Sequence, residues 1–482
     1  MSTFRMWEVF AKADEGPFYK DQGEWMLKSF IPNIRRVVKE YNIKYDGHTI
    51  VNQDDDLADR VWAAAKDFFV STGVYNQDTH RVMQFTEREV NEVLYTKRPK
   101  YLIGAGHDQR WLRVRAVEDK ERRPFHLFSP DANFSTDIHK KACMAYLKEP
   151  LLDGLCAPLL EDFMGRKATS QNPTEVAAAM EHAMNLRDAQ RLVGKPDVWT
   201  VSVGTAESAQ AQIAAGNPVW GVRQSHLDGR MVSILTEMTT NNAMLNKSLH
   251  YRSYGNVFGN LCGAIFGGHA GGTEGTLVLQ TAYNIEGACL YGSCWALNFP
   301  FHLKWQSTTT RELLWLQSVL SQAMSRNSNL IFLNNLFANA GPGTDQLYWE
   351  CANHALALEC SGGNPWGAAT CRNKFTDMAT PLESRFFHET SEASFKMRLT
   401  RAKAEESARR SWRSTRNSSR STTTATVSRK STTWSASYRV RSTSTSTTVC
   451  ATSSTSSAWS TPTNRLQQQR IPESKRRVCA SL

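Results

Sequence analysis

The sequence contains no apolar run near the roughly 18 residues that a membrane-spanning helix requires, so a transmembrane helix is excluded. Its opening segment, MSTFRMWEVFAKADEG, has no basic patch followed by an apolar stretch, so no secretory leader is expected and the expected location is the cytoplasm. Ten cysteines are present, none in a C-x-x-C pair. Cys289, Cys294, Cys351, Cys360 and Cys371 come nearest to a cluster and match no zinc spacing, so no metal site is expected. Free thiols in a reducing cytosol fit this usage. Also missing are a phosphate-binding G-x-x-x-x-G-K-[ST], a G-x-G-x-x-G, a serine elbow and an H-E-x-x-H. That removes the common signatures of nucleotide-binding proteins, α/β-hydrolases and zinc proteases.

What charge there is sits in one place. The chain carries 57 Lys+Arg and 46 Asp+Glu, and 16 and 3 of these lie from Arg401 to Leu482, leaving 41 and 43 in the first 400 residues. The body is almost neutral and the basic excess belongs to the tail. From about Arg398 the text changes, and Ser411–Ser460 holds 30 Ser+Thr in 50 residues. Such a stretch buries too little apolar surface to offset its ordering entropy, so 398–482 is expected to be a disordered, low-complexity basic tail. RNA binding through that tail ranks low, because no aromatic-basic platform accompanies it.

The body, 1–397, reads as one domain. Residues 1–150 are mainly helical: Leu57–Phe69 has apolar positions at helical spacing, and Thr86-x-x-Glu89 is a capping-box pattern. Further on, strand-like runs alternate with helices. Trp199–Val203 ends at Gly204, Leu297–Trp305 is broken by Pro300, and Asn329–Leu333 is apolar throughout. Helices are predicted over Thr174–Val193, from a Thr309-x-x-Glu312 cap to Arg326, and over Leu347–Leu358. Strands recurring every 30–40 residues with helices between them predict an α/β fold, either a parallel sheet or a (β/α)8 TIM barrel with a helical N-terminal elaboration. Chemistry is then expected just after strand ends. The glycine-rich Phe266–Thr276 (FGGHAGGTEGT) is as well suited to close backbone packing as to ligand contact, and His269 within it is expected to be a satisfied polar residue. Asp78 and His80 are expected to form a structural turn.

Several segments in order resemble the monomethylamine methyltransferases of methanogens. They are Thr72–Arg81 (TGVYNQDTHR) with Phe85-Thr86-Glu87; Gly194-Lys195-Pro196; Ser208-Ala209-Gln210; Ile265–Glu274; His302–Glu312 (HLKWQSTTTRE); Ala340-Gly341-Pro342; and Thr376-Asp377 through Glu383-Ser384-Arg385. The resemblance runs from about Phe4 to Met397. It implies a TIM barrel that passes the methyl group of monomethylamine to the cobalt of a corrinoid, a cofactor carried by a small partner protein rather than held tightly by the barrel. It implies homo-oligomers as well. Because family members continue past Met397 in ordinary helical text, the tail here reads as a switch of reading frame.

The family's reaction uses pyrrolysine, whose ring imine is the electrophile to which the substrate amine adds. Gapless counting places Val201 at that position, or Ser202 after a one-residue slip. A family Glu after a Ser-His pair falls at Leu227, a second Glu at Leu261, and a Gln and a Tyr at Asn335 and Phe337. Two leucines neither bind an amine nor move its proton, so the resemblance implies an apolar pocket hostile to methylammonium and loss of monomethylamine activity. The expected alternatives are a pyrrolysine-independent enzyme for another small methylated substrate, and an inactive barrel that still binds a corrinoid protein.

Overall fold

The computed structural model describes residues 3–201, 208–341, 344–370 and 376–418. Eight strand positions form a parallel ring: β1 (Leu127–Phe128), β2 (Gly154–Cys156), β3 (Trp199–Val201), β4 (Asp228–Gly229 and Met231–Ser233), β5 (Gly259–Cys262), β6 (Trp295–Asn298), β7 (Ile331–Phe337) and β8 (Pro365–Ala369). Trp366 pairs with Leu127, which joins the last strand to the first. Arg230 interrupts β4, so one half pairs with β3 and the other with β5. The fold is the expected TIM barrel.

Alternation along these strands sends one set of side chains inward. Trp199, Val201, Leu297, Leu333 and Trp366 share an interior cluster, while Leu155 and Phe332 face the surrounding helices. Large rings fit inside because glycines oppose them. A Cβ on Gly229 would lie 2.4 Å from the Trp199 ring, and one on Gly259 would lie 2.3 Å from the Trp295 ring.

The N-terminal helices lie against the barrel's outer ring. Asp55–Thr72 packs on helices Thr273–Glu286 and Arg311–Asn327. The Thr72–Arg81 motif fastens this region to the rim: strand Val74–Asn76 pairs with Thr239–Thr240, and the Asn242 N–H donates to Asp78 at 2.6 Å. His80 Nδ1 meets the Lys20 carbonyl at 2.9 Å, so both residues serve structure, as expected. The Thr86–Glu89 capping box forms. The Thr309–Glu312 box does not: Thr310 is the cap residue, and Thr309 donates instead to the buried Glu350 at 2.7 Å.

Past the expected boundary at 397/398 a helix, Arg401–Ser418, lies on the body. Ala404 and Ala408 are fully buried among Ile50, Val51, Leu314, Ala357 and Cys360. Little apolar surface is needed, because two alanines permit close approach and Glu405 satisfies backbone N–H groups across the interface. The rest of the expected tail lies outside the described residues. The seven described cysteines are free. Among the described residues no helix is long and apolar enough to cross a membrane.

Between helices Thr136–Leu147 and Pro173–Leu192, the buried rings of His139 and His182 lie 4.8 Å apart. No carboxylate pairs with either; His139 Nε2 donates to the Pro158 carbonyl at 2.9 Å, and both His182 nitrogens lack a partner among the described residues. Burial lowers the His139 pKa to about 4 and holds that of His182 far below the ordinary range. The unfolded chain therefore binds protons first as pH falls through about 6.5, so this stability is present above that pH and is lost on going down towards 4. Urea unfolding at pH 7.5, 6 and 5 is expected to show this loss, about 2 kcal/mol per histidine by pH 5. His182→Leu should flatten the profile; an unchanged profile would contradict the assignment.

Candidate active site at the barrel mouth

Four of the five positions singled out in the sequence converge on the C-terminal mouth. Val201 is the last residue of β3, has no exposed surface, and packs in the interior cluster with Cys156, Leu297, Leu333 and Trp366. Leu261, near the end of β5, is half-buried at the edge of the same cluster, as is Phe299. Alternation along β7 sends Leu333, Asn335 and Phe337 inward, and the Phe337 and Phe299 rings stand 5.9 Å apart. The floor of the mouth is apolar and aromatic. Ser202, the alternative for Val201, lies outside the described residues.

Leu227 is elsewhere. It sits in the short turn Ser225–Leu227 that enters β4, at the N-terminal face of the barrel, where the neighbouring His226 carbonyl accepts from Gly104 at 3.0 Å. The expectation that Leu227 lines the pocket is corrected: the Ser225-His226 pair that placed it sits in the turn entering β4, at the face of the barrel opposite the mouth. The C-terminal end of β4 leads instead to Glu237. This carboxyl is buried, is 3.4 Å from His269 Nδ1, and has one oxygen without a partner among the described residues. Burial pushes its pKa up, against the pull of His269. His269 thus has a carboxylate partner, and the turn that carries it needs glycine for its left-handed backbone, at φ 86° for Gly267 and 84° for Gly271, with close packing only in the helix that follows. A Cβ on Gly275 would collide with the Ala270 carbonyl at 2.0 Å.

A second carboxyl was not singled out in the sequence. Asp131 follows β1 in a turn, at φ 42°, a left-handed conformation that aspartate tolerates better than most residues. It accepts a hydrogen bond from Ser129 Oγ at 2.8 Å and another from Asn335 Nδ2 at 2.7 Å. Burial pushes its pKa up, opposed by hydrogen bonding from Asn335, Ser129 and Trp366. Asn335 is 2% exposed, and its Oδ1 has no hydrogen-bond partner among the described residues. Gly367 leaves room for that oxygen, since a Cβ there would lie 2.5 Å from it. The mouth therefore pairs the expected apolar floor with an acidic edge at Asp131. The only sequence signal for Asp131 was its place just after a strand too short to be noticed.

A family model described as monomethylamine methyltransferase MtmB matches residues 4–405. The chain belongs to the monomethylamine methyltransferase MtmB family. It is 26% identical over 381 residues to the monomethylamine methyltransferase MtmB2 of Methanosarcina acetivorans, covering 79% of this chain and 82% of that protein. The MtmB of Methanosarcina mazei is likewise 26% identical over 381 residues, with the same shares covered. Among solved structures, that of the hydroxylamine MtmB complex superposes with a TM-score of 0.79 at 23% identity, covering 86% of this chain and 90% of that one. The structure of the Methanosarcina barkeri enzyme gives 0.77 at 23% identity, covering 85% and 90%. At that identity the likeness shows the fold. The family match reaches into the helix that begins at Arg401, in agreement with its packing.

Proposed function

We propose that this chain is a methyltransferase-type barrel that works with a corrinoid-carrying partner protein and does not demethylate monomethylamine. Val201 carries the reading. Its isopropyl group offers no imine carbon for an amine to add to and no proton to exchange, and it is sealed into the barrel interior. The corrinoid, when its carrier is docked, supplies the cobalt that accepts the methyl group. The mouth's surroundings suit a docking partner: Leu303 and Trp305, on the loop after β6, are 57% and 50% exposed, apolar surface that a partner would cover. Within the mouth, the half-buried Leu261 and Phe299 would seat a methyl group over the sealed Val201, and the polar edge would orient the rest of the donor.

The purified chain, mixed with its corrinoid partner and monomethylamine, is expected to methylate cobalt no faster than the partner alone. Measurable cobalt methylation would overturn the proposal. So would a UAG codon at position 201 of the source gene, which would put pyrrolysine where valine is now read. A panel of other methyl donors then separates a changed substrate from a barrel that binds its partner and transfers nothing.

A further inference from the structure

We infer that the cleft at the N-terminal face of the barrel, the end opposite the mouth, binds a small organic anion: a carboxylate, phosphate or sulfonate group on a flat apolar body. The inference does not rest on the methyltransferase reading. One wall of the cleft is the hairpin Lys100–Ile103 and Arg110–Arg113, which lies across the strand beginnings. Its Ile103 and Leu112 enter the interior cluster, and the Gly104 N–H donates to the His226 carbonyl at 3.0 Å. The other wall is made by residues that lead into three strands: His226 before β4, Val257 before β5 and Cys294 before β6. The space between the walls is about 530 Å³, within the roughly 300–1,000 Å³ of small-molecule sites.

Charge in this cleft has one sign. Arg98 and Lys100 line it with His226, and no Asp or Glu does. Neither Arg98 nor Lys100 has an ion pair among the described residues; Lys100 Nζ lies 4.8 Å from the centre of the Trp111 ring instead. Behind the wall, Lys97 donates to the Ser293 carbonyl at 2.5 Å rather than to a carboxylate. Other arginines of the same face are matched, Arg110 by Asp153 at 3.2 Å and Arg223 by Asp228 at 2.8 Å. The described residues that flank 202–207, 342–343 and 371–375 stand at the opposite end of the barrel, and in 1–2 and 419–482 Glu473 alone has an acidic side chain. A recess of one sign with low-dielectric walls concentrates its field on an entering counter-ion. The floor is apolar: Tyr101, Leu102, Val257 and Cys294 line it, and all but Leu102 belong to the barrel's interior cluster or pack on it. An inorganic ion would leave that floor in water. An organic anion covers it while its charged group meets Arg98, Lys100 and the His226 ring.

The test is binding to the full chain, with two fluorescent probes of similar shape. Anilinonaphthalene sulfonate offers charge and body; the neutral N-phenylnaphthylamine offers the body alone. The sulfonate is expected to saturate one site, weakened several-fold by Arg98→Gln and about tenfold by Arg98→Gln with Lys100→Gln. Both side chains are exposed, so the variants should keep the parent's unfolding midpoint. The neutral probe should bind more weakly, and equally to parent and double variant. Cys294 locates the site, being the one described cysteine that is not buried. Bound sulfonate should slow its alkylation by iodoacetamide, read by peptide mapping. Sulfonate binding that ignores the double substitution, is matched by the neutral probe or leaves Cys294 unprotected would overturn the inference. So would displacement by inorganic phosphate as readily as by benzoate, which would mean that the floor contributes nothing. Displacement by single-stranded RNA at lower concentration than any small anion would assign the face to a polymer and overturn it as well. None of these outcomes bears on methyl transfer at the opposite end of the barrel.

Discussion

A chain cut after Met397 is expected to lose most of its stability, while one cut after Ser418 should match the full chain. The difference is the helix Arg401–Ser418. Its Glu405 carboxylate accepts the backbone N–H groups of Ile50 at 3.0 Å and Val51 at 2.6 Å, both buried. Without that acceptor the two groups are stranded, at about 1–3 kcal/mol each. Ala404 and Ala408 cover Leu314, Ala357 and Cys360, which would become exposed. Arg401 adds an ion pair to Asp55 at 2.6 Å, worth little because Asp55 is half-exposed. The total is about 4 kcal/mol or more, a large fraction of the 5–15 kcal/mol that holds a typical domain together. Glu405→Ala alone should cost about 2–4 kcal/mol by the same argument. Urea unfolding of the three chains decides it, and an unchanged midpoint for the cut at Met397 would mean that the helix does not hold the body. A switch of reading frame, if the gene contains one, would then have to lie beyond the residues that complete the fold.

Arg115→Met is the second large effect. Arg115 is buried on the flank of the barrel, where its guanidinium donates to Glu359 at 3.1 Å, to the Gly363 carbonyl at 2.7 Å and to the Arg122 carbonyl at 2.8 Å. Glu359 is itself buried and also accepts from Ser391 at 3.1 Å. Burial pushes the Glu359 pKa up, and Arg115 pulls it down. Removing the arginine leaves a carboxylate in the interior without its counter-charge, at about 3–5 kcal/mol. The double variant Arg115→Met, Glu359→Met should recover much of that loss, because the buried pair earns little net stability over apolar groups of similar size. A double variant no more stable than the single one would show that the cost lies in lost packing.

The parts of the fold legible in the sequence are those whose local chemistry agrees with their tertiary place. Trp199–Val201 alternates because one face of β3 is barrel interior, and Pro300 marks a real break between β6 and the following Phe301–His302 bridge. The capping box at Thr86 is wholly local, so it formed as read. Elements that rely on distant partners were hidden. β1 is two residues long and becomes a strand through its neighbours β2 and β8. The helix after Met397 hides among Ser, Thr and Arg because its buried face is two alanines and a glutamate. At the candidate site, Val201, Leu261, Asn335 and Phe337 were placed at the mouth through family likeness, since apolar residues on strands carry no mark of function. Leu227 was placed by the Ser-His pair before it, a local motif that carries no sign of which end of β4 it occupies. Asp131 becomes notable only when β7 brings Asn335 to it.

The tryptophans that fill the barrel have an optical consequence. Trp199, Trp295 and Trp366 stand in series, with ring centres 5.8 and 5.7 Å apart, and each is at least 98% buried. Indole excitations couple at that range, and the closed ring of strands fixes their mutual angles. Of the chain's fourteen tryptophans, these three are expected to contribute a shared near-ultraviolet circular dichroism band that melts with the barrel interior. Trp366 also belongs to the interior cluster that holds Val201. The molecule therefore has a built-in, label-free spectroscopic witness to the closure of its barrel.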